Sequence, residues 1–379
     1  MAISSPANIG RGNAASAWRH VDLSLVVTTL LLAAFGLLMI YSATRSRLDD
    51  AGLDPQYYLQ RQALFVTIGL GVMLVAALVD YRVFRDFAPI IYAGTVGALV
   101  LVLALGSVHK GQQAAFDVGP FQLQPSEFAK VSLIVCLAAY ASSIRTEVDG
   151  RKLLVILGLA GLPMGLIYLQ PDLGTSLVFA AILLGMLLIS GVKARFLVAL
   201  LALAVVGMVA VVHFGVLKDY QYKRLTSFLD PQADTTRSAY NLAQSKTAIG
   251  SGGITGKGLF KGTQTNLSYV PEQHTDFIFT AVGEQLGLAG SVALLALFAV
   301  IAWRTWRAAA LAKDPAGTLV CVGVLAMLTF QIFENVGMTM GIMPITGIPL
   351  PLLSYGGSST LATFAAIGLV LNVHMRRFT

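Results

Sequence analysis

Charge is what this chain has least of. Asp, Glu, Lys and Arg make up 12% of its 379 residues, where soluble domains carry about 25%. With 56% hydrophobic residues and a mean hydropathy of +0.74, a water-soluble globule is excluded. Cysteine is nearly absent as well: Cys136 and Cys321 both fall inside apolar stretches and read as small core residues, not as a disulfide framework or a metal site. No glycine-rich segment follows a strand in the manner of a nucleotide site, no histidine pair has metal-ligand spacing, and no nucleophile–base motif appears. Energy coupling to ATP within the chain is not expected.

What the sequence does have is long apolar runs. A helix needs about 20 such residues to cross the hydrocarbon core, and ten segments approach that length: 21–43, 62–79, 87–106, 128–143, 153–169, 176–190, 196–214, 277–303, 318–340 and 355–374. The expected fold class is therefore all-α, a polytopic membrane protein of about ten transmembrane helices. The first run is too long for a cleavable signal and has no small-residue cleavage site, so it reads as a retained span.

The net charge of +7 raises the question of nucleic acid. Cytoplasmic loops of membrane proteins are rich in Lys and Arg for topological reasons, which makes charge placement a test of the span count. With the amino terminus inside, the inner list is Arg11, Arg19, Arg82, Arg85, Arg145, Arg151, Lys152, Lys193, Arg195, Arg304, Arg307, Lys313, Arg376 and Arg377. The short outer loops hold only Arg45, Arg47, Arg61 and Lys110. Both termini are expected in the cytoplasm, and no nucleic acid is needed to explain the basic surplus. The domain reading is one transmembrane unit over 1–379, a cytoplasmic tail at 1–20 and a large extracytoplasmic loop at 215–276, between spans seven and eight.

Structureless connections beyond about 15 residues are usually functional or disordered. This loop carries Tyr220, Tyr222, Phe228, Tyr240, Phe260 and Tyr269, with glycines at 250, 252, 253, 256, 258 and 262. That composition predicts an ordered loop on the membrane face, a lid and acceptor path, with a short amphipathic helix over 238–248.

Four polar patches interrupt the apolar pattern. In Gln124-Pro125-Ser126-Glu127-Phe128-Ala129-Lys130, Pro125 suits a first helical turn, and Glu127 and Lys130 share one helical face at the edge of a span. They read either as a structural ion pair or as cavity-lining groups, since charges at such depth face a bundle interior or water. In Val270-Pro271-Glu272-Gln273-His274-Thr275-Asp276, three titratable groups fall within five residues at the mouth of the bundle. Asp276 alone would serve as a helix cap, but a cap needs neither Glu272 nor His274. Gln170-Pro171-Asp172-Leu173-Gly174-Thr175 and the Pro- and Gly-rich 344–357 read, each taken alone, as tight turns at the outer edge. Glu284 and Glu334, inside apolar spans, are interhelical hydrogen-bond partners or cavity liners.

Taken together, Tyr41-Ser42-Ala43-Thr44 and these four patches, in this order over nearly the whole chain, resemble the SEDS family of bacterial shape, elongation, division and sporulation proteins. The resemblance implies a peptidoglycan glycosyltransferase in the bacterial cytoplasmic membrane that polymerises lipid II at its outer face. It also implies a class B penicillin-binding protein (a transpeptidase) as partner, alongside other elongation-complex proteins. Asp276 matches the family's essential aspartate and is expected to be the catalytic general base, with inversion at the anomeric carbon. Glu127, Lys130, Asp172, Glu272 and His274 are expected to support one outward-open cavity. Arg45, Lys130, Arg224, Lys246 and Lys257 are the cations considered for the pyrophosphate or lipid. No protein metal cage is visible, and a divalent cation, Mg²⁺ or Mn²⁺, would be held with the substrate pyrophosphate. Two departures stand out: Gly111 to Asp117 replaces a region where relatives carry an Arg-Trp pair, and Glu284-Gln285 replaces a Glu-Glu pair. The short amino-terminal tail and Pro271 to His274 favour the elongation branch over the division branch. A lipid II flippase and a non-catalytic scaffold for the penicillin-binding protein are the alternatives.

Overall fold

A computed structural model describes residues 20–109, 112–118, 121–144, 148–213 and 237–378. The first half holds α1 (Leu23–Asp50), α2 (Tyr57–Leu78), the short α3 (Tyr81–Asp86), α4 (Ala88–Leu105), α5 (Pro125–Ser143), α6 (Gly150–Leu169), α7 (Leu173–Ile189) and α8 (Ala194–His213). The second half holds α9 (Arg237–Gly252), the single turn α10 (Thr263–Asn266), α11 (Ile278–Ala310), α12 (Pro315–Met340) and α13 (Gly357–Met375). Helices fall on all ten apolar runs. Seven of them, α1, α2, α4, α6, α11, α12 and α13, are long and apolar enough to cross a membrane, while α7 and α8 are shorter apolar helices. The chain is a multi-pass membrane protein.

Packing is inside out relative to a soluble globule. Ile90, Leu105, Leu154 and Val198 are each more than 60% exposed, as befits surfaces that meet lipid. The core runs through α13, which lies along α2 and α5, and through α12, which sits among α5, α7 and α11. Gly69 on α2 admits the Phe364 ring of α13, where a Cβ would have no room.

The fold is all-α as expected, apart from one small sheet. Between α4 and α5 the described residues form three antiparallel strands, β1 (Ser107–His109), β2 (Gln112–Val118) and β3 (Phe121–Leu123), in the order β1-β2-β3. The segment is too short and too polar to be a span. Pairing with itself satisfies its backbone groups at the edge of the bundle.

The described part of the long loop is ordered and packs on the helix bundle. The expected 238–248 helix is the longer α9, whose Ala239, Leu242, Ser245 and Ala248 form a buried stripe against α11 and α12. Beyond it, the glycine series docks onto a break in α11. At Gly287, with φ 63° and ψ −158°, the helix is interrupted. The freed groups are taken up by the loop: Lys257 N–H donates to Glu284 O (3.0 Å), Gly258 N–H to Gln285 O (2.9 Å), Leu288 N–H to Gly253 O (2.9 Å) and Ala289 N–H to Ile254 O (3.0 Å). Gly252, Gly256 and Gly287 stand where backbone meets backbone with no room for a side chain. Broken helices inside a membrane bundle survive only with such replacement partners.

Candidate active site

The four polar patches, far apart in sequence, converge on one cavity of about 460 Å³. Gln122, Gln124 and Glu127 line it from β3 and the start of α5, Asp172 and Thr175 from the start of α7, and Thr275 and Asp276 from the segment before α11. Thr346, Gly347 and Tyr355 to Ser359 come from the Pro- and Gly-rich run and the start of α13. Arg61 and Phe65 of α2 and Ala114 and Ala115 of β2 complete the wall.

Local structure fixes each group. Pro125 occupies the first turn of α5, where a missing N–H costs nothing. One turn on, Lys130 Nζ donates to Glu127 Oε1 at 2.8 Å, both side chains being at most 5% exposed. Asp172 caps α7, accepting from Thr175 N–H (3.0 Å) and the Thr175 hydroxyl (2.7 Å). Burial pushes the Asp172 carboxyl up, and the Thr175 bonds pull it back. Gln124 reaches the same carboxylate at 3.4 Å. Its backbone N–H donates to the Ser358 hydroxyl (2.9 Å), which donates in turn to Gln122 O (3.0 Å), tying β3 to α13.

Asp276 does not cap α11. The cap residue is Phe277, and no side chain closes that helix start. Glu272, in the left-handed region at φ 56°, turns the chain just before it, and Thr275 and Phe277 donate back to Glu272 O at 3.2 and 3.4 Å. Tyr355 N–H donates to His274 O (2.9 Å) and Asn335 Nδ2 to Asp276 O (2.8 Å). Gly347, at φ 78°, leaves space beside the carboxylate: a Cβ there would lie 3.3 Å from Asp276 Oδ2.

That turn divides the titratable cluster. Glu272 and His274 line a neighbouring recess of about 250 Å³ with Arg47, Ser268 and Gln273, not the Asp276 cavity. His274 instead packs its ring 4.6 Å from Tyr58 and 5.7 Å from Tyr355, forming part of the partition between the two spaces. The cations also sort differently from expectation. Arg45 lies over the Phe260 ring at 4.7 Å. Lys257 is bonded to Glu284 at 2.9 Å, the carboxylate that also accepts from Thr265 and the Gln264 N–H, so both residues fasten the loop to α11. Lys246 is exposed on α9, beside Gly341. None of these three lines the cavity, and Arg224 lies outside the described residues. Among the described residues, the cation that does line it is Arg61, which stacks over Tyr57 at 4.2 Å and shares the cavity wall with Tyr355. A single Arg at the outer end of a span carries no sequence signal beyond topology, and Arg61 was legible only as an outer charge. No described residue of 237–269 lines the cavity either; that stretch fastens onto α11, and the rest of the expected lid, 215–236, lies outside the described residues.

Among the described residues no three His, Cys, Asp or Glu side chains are grouped to hold a metal ion. Of the cavity carboxylates, Glu127 is bonded to Lys130 and Asp172 to Thr175.

Comparison with known proteins agrees with this architecture. The family model for FtsW, RodA and SpoVE, described as cell cycle protein, matches residues 22–378. The chain is 36% identical over 358 residues to peptidoglycan glycosyltransferase MrdB of Escherichia coli K12, covering 94% of each. It is 38% identical over 356 residues to stage V sporulation protein E of Bacillus subtilis 168, covering 93% of this chain and 96% of that protein. Among solved structures, a chain of a peptidoglycan synthase complex that coordinates polymerization and crosslinking superimposes with a TM-score of 0.82 at 32% identity, over 96% of this chain and all of that one. Rod shape determining protein RodA of Thermus thermophilus gives 0.72 at 30% identity, over 96% and 99%. With the family model matched over residues 22–378 and relatives of 36–38% identity over 93–94% of its length, the chain belongs to the FtsW/RodA/SpoVE family of cell cycle proteins.

Proposed function

We propose that the Asp276 cavity is the polymerising centre of a peptidoglycan glycosyltransferase, acting on lipid II at the outer face of the cytoplasmic membrane during cell elongation. The curated relatives bear that activity in their names, and the observation that carries the site is the placing of Asp276, Arg61, Glu127 and Asp172 around one cavity. The whole chain forms one transmembrane unit. All ten long helices span, the termini are cytoplasmic, and residues 215–276 are extracytoplasmic, in keeping with the Lys and Arg bias of the inner connections.

Growth of a glycan strand joins a sugar hydroxyl to the anomeric carbon of a lipid-linked donor. Asp276 accepts the hydroxyl proton as the oxygen attacks, the bond from the anomeric carbon to the pyrophosphate oxygen breaks, and undecaprenyl pyrophosphate leaves. An α-linked donor and a β-linked product call for a single displacement with inversion and no covalent enzyme intermediate. Positive charge must face the leaving pyrophosphate, and Arg61 is the cation at hand. Lys130 neutralises Glu127, so the buried carboxylate does not repel the same phosphates. The partner is a class B penicillin-binding protein that cross-links the product, within a wider elongation complex. Mg²⁺ or Mn²⁺ would be held with the substrate pyrophosphate and would add positive charge there.

The test is polymerisation of lipid II by purified protein with its partner. Asp276→Ala is expected to make no polymer, and polymer at the wild-type rate would overturn the reading. Movement of lipid II across vesicles by Asp276→Ala would point instead to a flippase.

A further inference from the structure

Two segments bear on the Asp276 carboxylate, and neither is regular structure. One is the turn 272–276 that carries it, and the other is the run 344–353, whose Gly347 faces Asp276 Oδ2. Irregular backbone next to a cavity has no ladder to hold its register, so something else must. A single side chain spans both segments. Asn335 of α12, wholly buried, donates from Nδ2 to Asp276 O at 2.8 Å and to Ile348 O at 2.8 Å. Its neighbour Glu334, also wholly buried, accepts from the Thr346 hydroxyl at 2.9 Å. One turn of a rigid spanning helix thus grips the backbone of Asp276 and both flanks of Gly347.

The chemistry of the grip is specific to asparagine. An amide nitrogen has two donors, and both are used here on carbonyl oxygens. The two carbonyls also settle which end of the amide faces them, because the flipped group would set oxygen against two oxygens. A carboxylate offers no donor, a serine one, and an alanine none. Asn335 is wholly buried and does not line the Asp276 cavity, so it acts through the backbone it holds.

We infer that Asn335 is a positioning residue for Asp276, setting the carboxylate against the 346–348 segment so that the acceptor hydroxyl meets its base in line with the donor. The inference rests on the proposed role of Asp276. Misplacing a reacting group by about 1 Å can cost on the order of 100-fold in rate without weakening binding. The loss should therefore fall on kcat and scale with the donors removed.

The experiment is a lipid II polymerisation series on the full-length protein with its partner: wild type, Asn335→Ser, Asn335→Ala, Asn335→Asp and Asp276→Ala. Hydrogen exchange of residues 272–278 and 345–350 is followed by mass spectrometry in the same micelles. Expected is a kcat that falls in the order Asn, Ser, Ala, by about 10- to 100-fold for alanine. KM for lipid II should stay within about threefold, since binding groups are untouched, and exchange should rise in both segments together. Asn335→Asp keeps the shape and should behave like alanine. If it does not accumulate in the membrane, the serine variant carries the comparison through its exchange and its kcat. Wild-type kcat and exchange in the serine and alanine variants, or a rise in KM alone, would overturn the assignment while leaving the role of Asp276 intact. Wild-type polymerisation by Asp276→Ala would remove both.

Discussion

Glu127 and Lys130 are joined at 2.8 Å one turn apart on α5, yet only Glu127 lines the cavity. The lysine is thus a built-in counter-ion, its ammonium withdrawn behind the carboxylate it neutralises. Removing one member of a buried pair leaves an uncompensated charge and costs about 3–5 kcal/mol, whereas removing both with matched apolar or neutral groups costs far less. Lys130→Met should accordingly lower thermal stability sharply in micelles, and Glu127→Gln/Lys130→Met should recover most of it. Activity should not return with stability if the Glu127 carboxylate serves the cavity. A double variant no more stable than Lys130→Met would mean that the pair is not an isolated unit.

The break in α11 makes a second expectation quantitative. Gly253 and Gly256 both have positive φ, 57° and 79°, but only at Gly256 would a Cβ collide with backbone, that of Gln285 and Leu286. Gly253→Ala should cost about 1–2 kcal/mol, the left-handed penalty alone. Gly256→Ala must in addition push the docked loop off the broken helix, and so should unfold at markedly lower temperature or fail to accumulate. Equal melting points for the two variants would show that the loop yields freely at this contact.

Much of this architecture was legible in one dimension, and the reasons are physical. A span is a run of about 20 apolar residues, so each of the ten runs announced a helix without any knowledge of its neighbours. The patches around Glu127, Asp172, Asp276 and Gly347 were visible because polar groups at a membrane boundary stand out against leucine and valine. What was not legible depends on contacts distant in sequence or on a single dihedral. The 2.9 Å bond from Lys257 to Glu284 removes a cation from consideration, and nothing in the sequence pairs the two. The positive φ at Glu272 sends Glu272 and His274 into a different recess from Asp276, four residues on. Asn335 has no sequence signal beyond being polar within an apolar span. Arg61 looked like a topological charge, and the strands of 107–123 were hidden in a loop too short to show a period.

Arg61 offers a direct contrast with the cations that the sequence put forward. Charge-assisted hydrogen bonds to a phosphate contribute about 1.5–3 kcal/mol each, so Arg61→Gln should lower kcat/KM for lipid II by about 10- to 100-fold. Arg45→Gln removes only a contact with the Phe260 ring and should stay within a few-fold of wild type. Steady-state polymerisation of both variants, at one ionic strength, makes the comparison. A larger loss at Arg45 than at Arg61 would relocate the pyrophosphate toward the outer end of α1.

The dependence on metal should divide in the same way between protein and substrate. A resident ion stabilises the fold that binds it in proportion to its occupancy, and that requires ligands set in place beforehand. Here two of the three cavity carboxylates are already engaged, Glu127 by Lys130 and Asp172 by Thr175, and no cluster of ligands is present among the described residues. Without lipid II, the melting temperature should therefore be the same in millimolar Mg²⁺, Mn²⁺ or chelator. Polymerisation is expected to fall on chelation and to return when either cation is added back, because Mg²⁺ binds chiefly through phosphate oxygens and its own waters. A rise in melting temperature with Mg²⁺ in the absence of substrate would reveal a protein-held ion, with Asp276 the first carboxylate to suspect as its ligand.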